Sequence, residues 1–268
     1  MNLIQTIILA IVEGLTEFLP ISSTGHMALV SAFMGIEKSD FTKLFIENIQ
    51  FGTILSVIVL YWRKFFDFSK LQLYVKLVIA FIPAAILGVL FKKHIDQLIG
   101  TPLFIACTMF FGGIVLLFVD NWFKNPKIDS EEKVSNKNAL YIGFFQVLAV
   151  VLPGLSRSAA TIIGGMQQKL TRKAAAEFSF FLAVPTLAGA FAKSLWDAYK
   201  ETPEILTKQN VSILAVGNVI GFIVAIVAIK GFISFLTKHG FRLFGYYRII
   251  VGLIIIAMII MRGNVFIF

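Results

Sequence analysis

The chain has 268 residues, of which 58% are hydrophobic and only 15% charged, and its mean hydropathy is +0.86. A soluble domain of this length would sit nearer half apolar and a quarter charged, so the balance excludes an ordinary soluble fold and predicts one integral membrane domain over 1–268. The net charge of +9 would suggest nucleic acid in a soluble protein, but here most Lys and Arg lie in short loops between apolar segments, where they report on topology and anionic lipid head groups. No nucleic-acid partner is expected, and membrane lipids are. The single cysteine, Cys107, excludes an intrachain disulfide and a cysteine metal site.

In chain order, apolar segments fall at about 3–18, 21–34, 43–62, 71–91, 102–123, 139–152, 157–168, 174–196, 211–235 and 244–261. The first has no Lys or Arg ahead of it and no small-residue cleavage site, so it is not expected to be a cleaved signal peptide. The runs are too long and alternate too weakly for a β-barrel, which leaves an all-α bundle. Segments 3–18 and 21–34 are short and broken at Pro20; segments 139–152 and 157–168 are short and broken at Pro153 and Gly154. Each pair is predicted to be a re-entrant helical hairpin, because non-helical backbone at membrane depth survives only where protein buries it or a wet cavity adjoins it.

Two such breaks in corresponding places predict an inverted repeat with the site at its interface. Aligning Pro20 on Pro153 sets Glu13 on Gln146, Leu19 on Leu152 and Ser23 on Ser156. Repeat 1 covers about 1–123 and repeat 2 about 139–262, each a hairpin followed by three spans. The expectation is an all-α polytopic membrane protein with six transmembrane helices and two re-entrant hairpins. Loops on the N-terminal side then carry 8 Lys and Arg and those on the other side 13, Lys70 among them. The richer side should be cytoplasmic, with both termini outside.

Carboxylates inside membranes are costly and rare. Glu13, Glu17, Glu47 and Glu177 all lie in apolar segments. Glu13 and Glu17 are four apart and share a helical face, where two carboxylates repel unless one is protonated or a cation lies between them. Mg²⁺ or Ca²⁺ would suit such oxygen ligands; a proton relay or a helix–helix tie would also use the pair. Ser22, Ser23, Thr24 and His26 follow the first break, where a new helix start attracts anions and His26 could take a serine proton. Plain helix capping would use the same serines. Arg157 follows the second break between Ser156 and Ser158, with Thr161 one turn on, and its fork matches a phosphate. A structural pair with one of the buried glutamates is the alternative. Gly112–Gly113, Gly164–Gly165 and Pro185 are assigned to close helix packing.

Three stretches carry a resemblance: EGLTEFLPISSTGH (Glu13 to His26), LPGLSRSAAT (Leu152 to Thr161) and RKAAAEFSFFLAVPTLAGA (Arg172 to Ala190), with FIENIQFGTILSVIVLYW (Phe45 to Trp62) in support. Together these resemble the bacitracin-resistance type of undecaprenyl-pyrophosphate phosphatase, along the whole chain. The resemblance implies hydrolysis of the C55 isoprenoid pyrophosphate to its monophosphate, which recycles a cell-wall lipid carrier, in the bacterial plasma membrane. It implies an active site opening to the outer face and a divalent cation. Carried over, it implies Glu13, Glu17, Ser23, His26 and Arg157 as catalytic residues, Glu13 and Glu17 as metal ligands, and Ser22, Thr24, Ser156, Ser158 and Thr161 as substrate-binding residues. It leaves the nucleophile and the oligomeric state open, a homodimer included. Inverted repeats also build transporters, so a lipid or anion transporter or flippase is the alternative. The lipid-phosphatase class with two spaced histidines and a KxxxxxxRP motif is not matched.

Overall fold

The structure, a computed structural model, describes residues 1–67 and 71–262. Lys70 lies outside the described residues. Thirteen helices make up the described fold: α1 (Leu3–Thr16), α2 (Ser23–Phe33), α3 (Asp40–Asn48), α4 (Gln50–Leu60), α5 (Trp62–Phe65), α6 (Leu71–Leu90), α7 (Lys92–Ile99), α8 (Pro102–Trp122), α9 (Asn136–Val151), α10 (Arg157–Gln167), α11 (Arg172–Glu201), α12 (Lys208–His239) and α13 (Arg242–Arg262). No strand forms among the described residues, where Ile128 and Leu170 make one isolated bridge. Six helices are long and apolar enough to cross a bilayer: α3–α4 taken together, α6, α8, α11, α12 and α13. The all-α, six-span expectation is met, and the chain is a multi-pass membrane protein.

The two broken segments are helical hairpins. α1 is closed at its start by reciprocal bonds between Asn2 and Gln5, satisfying two donors that the first turn leaves free. α2 and α10 are both eleven residues long and match from end to end. Each starts from a serine at positive φ, Ser22 at 70° and Ser156 at 77°, whose hydroxyl accepts the N–H three residues on. Each ends in a left-handed residue, Gly35 or Lys169, one past the helix cap. The cap pairs are 134 residues apart, whereas alignment on the prolines gives 133 and sets Ser23, not Ser22, on Ser156. The second break is therefore one residue longer, and the hydroxyl that caps the helix, not the proline, fixes the correspondence.

Packing between the halves is reciprocal. α1 lies on α12, α9 lies on α6, and α8 lies along α13. Glycines permit these approaches: a Cβ on Gly14 would stand 2.8 Å from the Gly221 carbonyl oxygen, and one on Gly143 would strike the Ala80 backbone. Gly113 and Gly164 likewise face a neighbouring helix closely, as expected of small residues in membrane helix contacts. At one end of the bundle Met34, Ile36, Ala198, Ile205 and Leu206 pack together, and Lys92 pairs with Asp197 at 3.1 Å. At the other end Phe65, Val134, Leu170, Leu236 and Phe241 share a core, and Arg172 pairs with Asp120 at 2.7 Å. That second end holds Glu177, beside Lys64 and Glu131, so this carboxylate stands apart from the hairpin tips.

Candidate active site

The tips of the two hairpins meet at one cavity. The Ser158 hydroxyl, from the second hairpin, donates to the Leu19 carbonyl of the first at 2.7 Å. Between the tips lies a cavity of about 270 Å³, lined by Glu17, Ser22, Ser23 and Thr24 on one side and Pro153, Gly154, Ser156 and Arg157 on the other. Gln50 and Thr186 add polar wall, and Ile95 and Ile99 of α7 add apolar wall. The starts of α2 and α10 both line this space, so two helix N-termini favour an anion in it. Positive φ at Ser22 and Ser156 is unfavourable for residues with a side chain, by about 1–3 kcal/mol each. Strain of this kind, at matched places on one cavity, persists only where the surroundings enforce it.

Glu17 is the junction of the site. Its Oε1 accepts from Arg157 Nη2 at 2.9 Å, across 140 residues of sequence, and its Oε2 accepts from the Ser23 hydroxyl at 2.6 Å. Both partners are largely buried, which makes the ion pair far less screened than a surface one. Arg157 also donates to the Ser179 carbonyl at 3.0 Å and stands 5.9 Å from the centre of the Phe18 ring. Its Nε has no acceptor, so one buried donor of the fork is left over for a ligand. Glu13, one turn back from Glu17, is fully buried; no donor reaches either of its carboxylate oxygens, and its charged neighbours are the Glu17 carboxylate and Arg157.

The remaining expected residues divide. Ser22, Thr24 and Ser156 line the cavity. Ser158 and Thr161 do not: the Ser158 hydroxyl is spent on Leu19, and Thr161 is enclosed with Ser179, 2.6 Å between hydroxyl oxygens. Neither hydroxyl lines the cavity, because the helical turn that follows Arg157 rotates both into the protein. His26 does not line the cavity either. Its Nδ1 lies 2.7 Å from the Ser22 carbonyl, which can only accept, so the neutral ring carries its proton there. Its Nε2 meets the Tyr247 hydroxyl at 2.7 Å and its ring stacks on that tyrosine. No serine hydroxyl is hydrogen-bonded to the imidazole, and the Ser23 hydroxyl donates to Glu17 instead.

Three residues escaped the sequence reading. Arg248, 0% exposed, donates all five of its N–H groups to backbone carbonyls: Met109 at 3.2 Å, Thr108 at 3.3 Å, Gly154 at 3.0 Å, Leu155 at 2.6 Å and Pro20 at 3.2 Å. It ties both hairpin tips to α8. A lone arginine inside an apolar run was the available signal, the same one that singled out Arg157. Ser179 and Gln50 gave no signal beyond being polar residues in apolar segments.

The donor set fits a divalent cation: Glu13 offers two unpartnered buried oxygens, and hard cations take such ligands. Among the described residues no three His, Cys, Asp or Glu side chains cluster as a ready-made metal site, so oxygens from amides, hydroxyls or a substrate would have to complete the shell.

The family model described as bacitracin resistance protein BacA matches residues 6–254. The chain belongs to this family. Relatives of the BacA family include a protein named undecaprenyl-diphosphatase from Flavobacterium johnsoniae, 55% identical over 96% of each chain. One of the same name from Porphyromonas gingivalis is 49% identical over 97% of this chain and 98% of its own. Undecaprenyl-diphosphatase 1 of Clostridioides difficile is 42% identical over 96% of each. The BacA match spans both hairpins and so includes every residue of the cavity described above.

Proposed function

We infer that this chain is a membrane phosphatase that hydrolyses undecaprenyl pyrophosphate to undecaprenyl phosphate and inorganic phosphate. The observation that carries the inference is the Ser23–Glu17–Arg157 chain joining the two hairpin tips at one cavity, in a protein whose near full-length relatives bear that enzyme's name. None of the relatives reported above carries a transporter's name.

The pyrophosphate enters between the two helix starts, and Arg157 turns its free Nε and the face of its fork to the phosphate oxygens. Ser23 attacks the terminal phosphorus, or aligns a water that does, and Glu17 Oε2 receives the proton through the 2.6 Å contact already present. The bond that breaks is the one to the bridging oxygen, and the prenyl monophosphate leaves; where Ser23 is the nucleophile, water then attacks the phosphoserine phosphorus, the Ser23 oxygen leaves and takes back the proton from Glu17, and inorganic phosphate is released. Charge spreads over the transferring phosphoryl, where Arg157 and the helix N-termini stabilise it without reorganisation. When bound, Mg²⁺ or Ca²⁺ supplies further neutralisation of phosphate oxygens, with Glu13 as its first protein ligand.

The hairpins are re-entrant and the halves an inverted repeat, a reading supported by the exchanged packing of α1 on α12 and α9 on α6. The cavity faces the outer side of the plasma membrane; its lining by Ile95 and Ile99 of α7, and the smaller number of Lys and Arg on the N-terminal side, support this orientation.

Phosphate release from C55 pyrophosphate by the purified protein, with and without chelator, is the direct test. Release by the wild type, lost on chelation and in Glu17→Gln and Arg157→Ala, is expected. Near-normal release by either variant would overturn the assignment.

A further inference from the structure

Ser22 and Ser156 hold the same strained place in the two hairpins, at φ 70° and 77°, yet they are secured by different means. Ser156 directly follows Gly154 and Leu155, whose carbonyls both accept from the Arg248 guanidinium. On the first hairpin, among the described residues, Arg248 reaches one carbonyl, that of Pro20, two residues before Ser22. What holds Ser22 is His26. Its backbone N–H and its Nδ1 both approach the Ser22 carbonyl, at 3.3 and 2.7 Å. The residue matching His26 in the second hairpin is Ala160, which brings a backbone N–H at 3.0 Å and no side-chain donor. An imidazole thus supplies on one tip what the guanidinium supplies on the other.

The imidazole is itself held from α13. Tyr247, the residue before Arg248, stacks on the ring with 1° between the planes and sets its hydroxyl 2.7 Å from Nε2. The Ser22 carbonyl can only accept, so Nδ1 carries the proton of the neutral ring. Nε2 is then a bare acceptor, and the Tyr247 O–H donates to it. A serine at positive φ stays there only where its surroundings enforce it. Ser23, the next residue, aims its hydroxyl at Glu17 Oε2 across 2.6 Å, and a turn of the Ser22 peptide would carry it out of that contact.

We propose that Tyr247 is a positioning residue for the phosphatase reaction: by pinning the His26 imidazole from α13 it fixes Ser22, and with it the aim of Ser23 at the start of α2. His26 is then a strut that keeps its proton throughout, and Tyr247 and Arg248, neighbours on one helix, divide the two tips between them. The kinetic side of this rests on the phosphatase reading; the state of the imidazole does not.

The ¹⁵N imidazole spectrum of the full-length protein in lipid at neutral pH reads the ring without any assay of activity, with the His26 signals identified by their loss in His26→Asn. A protonated Nδ1 and a bare, hydrogen-bonded Nε2 are expected in the wild type. Tyr247→Phe, which keeps the stacking ring, should move the Nε2 signal because that nitrogen loses its donor. A wild type with its proton on Nε2, or a Tyr247→Phe spectrum identical to wild type, overturns the proposal. Phosphate release then separates a strut from a base. Asparagine can offer an amide N–H to the Ser22 carbonyl but cannot take a proton. His26→Asn should therefore stay within about tenfold of wild type while His26→Leu loses at least about a hundredfold, and equal losses overturn the proposal. Tyr247→Phe should lower kcat about 2–10-fold, the worth of one neutral hydrogen bond, with KM little changed. It should cost nothing more in the His26→Asn background, and a full additional loss there counts against the proposal. Should His26→Leu not fold, the spectrum and rate of Tyr247→Phe decide alone. A wild type that releases no phosphate sinks the phosphatase reading, while the imidazole spectra still decide whether Tyr247 holds His26.

Discussion

Replacing Arg248 by lysine keeps the positive charge and most of the side-chain length but reduces five fixed donors to three on a single nitrogen. In the wild type every donor is used, on carbonyls from α8 and from both hairpin tips. At least two of those buried carbonyls must lose their partner. At about 1–3 kcal/mol for each orphaned group, the cost is about 2–6 kcal/mol. Part of it should appear as lower thermal stability in detergent. The rest should be relieved by letting one tip move, which spoils the alignment of Glu17 and Ser23 with Arg157, and a shift of about 1 Å in such a site can cost about 10²-fold in rate. The expected result for Arg248→Lys is a lower Tm and a kcat for phosphate release reduced at least tenfold, with KM changed much less, because Arg248 touches neither cavity. Purified, monodisperse variant and wild type assayed side by side on C55 pyrophosphate would decide. An unchanged Tm together with an unchanged kcat would refute the view that the guanidinium sets the register of the two tips.

Arg157→Lys retains charge but cannot span Glu17 at 2.9 Å and the Ser179 carbonyl at 3.0 Å together, so kcat/KM should fall by about 10–100-fold, the worth of one charge-assisted hydrogen bond. Gly143→Ala drives a methyl into the Ala80 backbone between α9 and α6, and should destabilise by about 1–3 kcal/mol, seen as a lower Tm with KM near normal in the molecules that remain folded. For orientation, Lys93→Cys and Lys133→Cys, each in a Cys107→Ser background, should label oppositely with an impermeant maleimide. Lys93→Cys should react in intact cells and Lys133→Cys only after permeabilisation, and the opposite outcome would invert the membrane topology.

Much of the fold was legible because a bilayer leaves the backbone few choices. Runs of apolar residues had to be helices, and their lengths separated six spans from four short pieces. Pro20, Pro153 and Gly154 marked the breaks, and Glu17, Ser23 and Arg157 stood out because charged and hydroxylic groups beside a break in apolar sequence are expensive there. Periodicity could not reveal that the Ser22 hydroxyl caps α2 as Ser156 caps α10, which shifts the correspondence of the halves by one residue. It could not show Glu47 opening onto a cavity beside Glu13 while Glu177 joins Lys64 and Glu131 at the other end of the bundle.

The sequence by itself therefore determined the solvent of this protein, its class of secondary structure, the two breaks and the chemical types gathered at them, since each of these follows from local composition against a hydrocarbon medium. Tertiary structure decided who partners whom. Glu17 meets Arg157 across 140 residues, Ser23 donates a hydrogen bond to Glu17 while His26 turns to Tyr247, and Arg248, near the end of the chain, fastens loops that precede it by about 94 and 228 residues. Those choices depend on which helix faces pack together, and a rotation of one residue along any of these helices, about 100°, would assign the same side chains different partners.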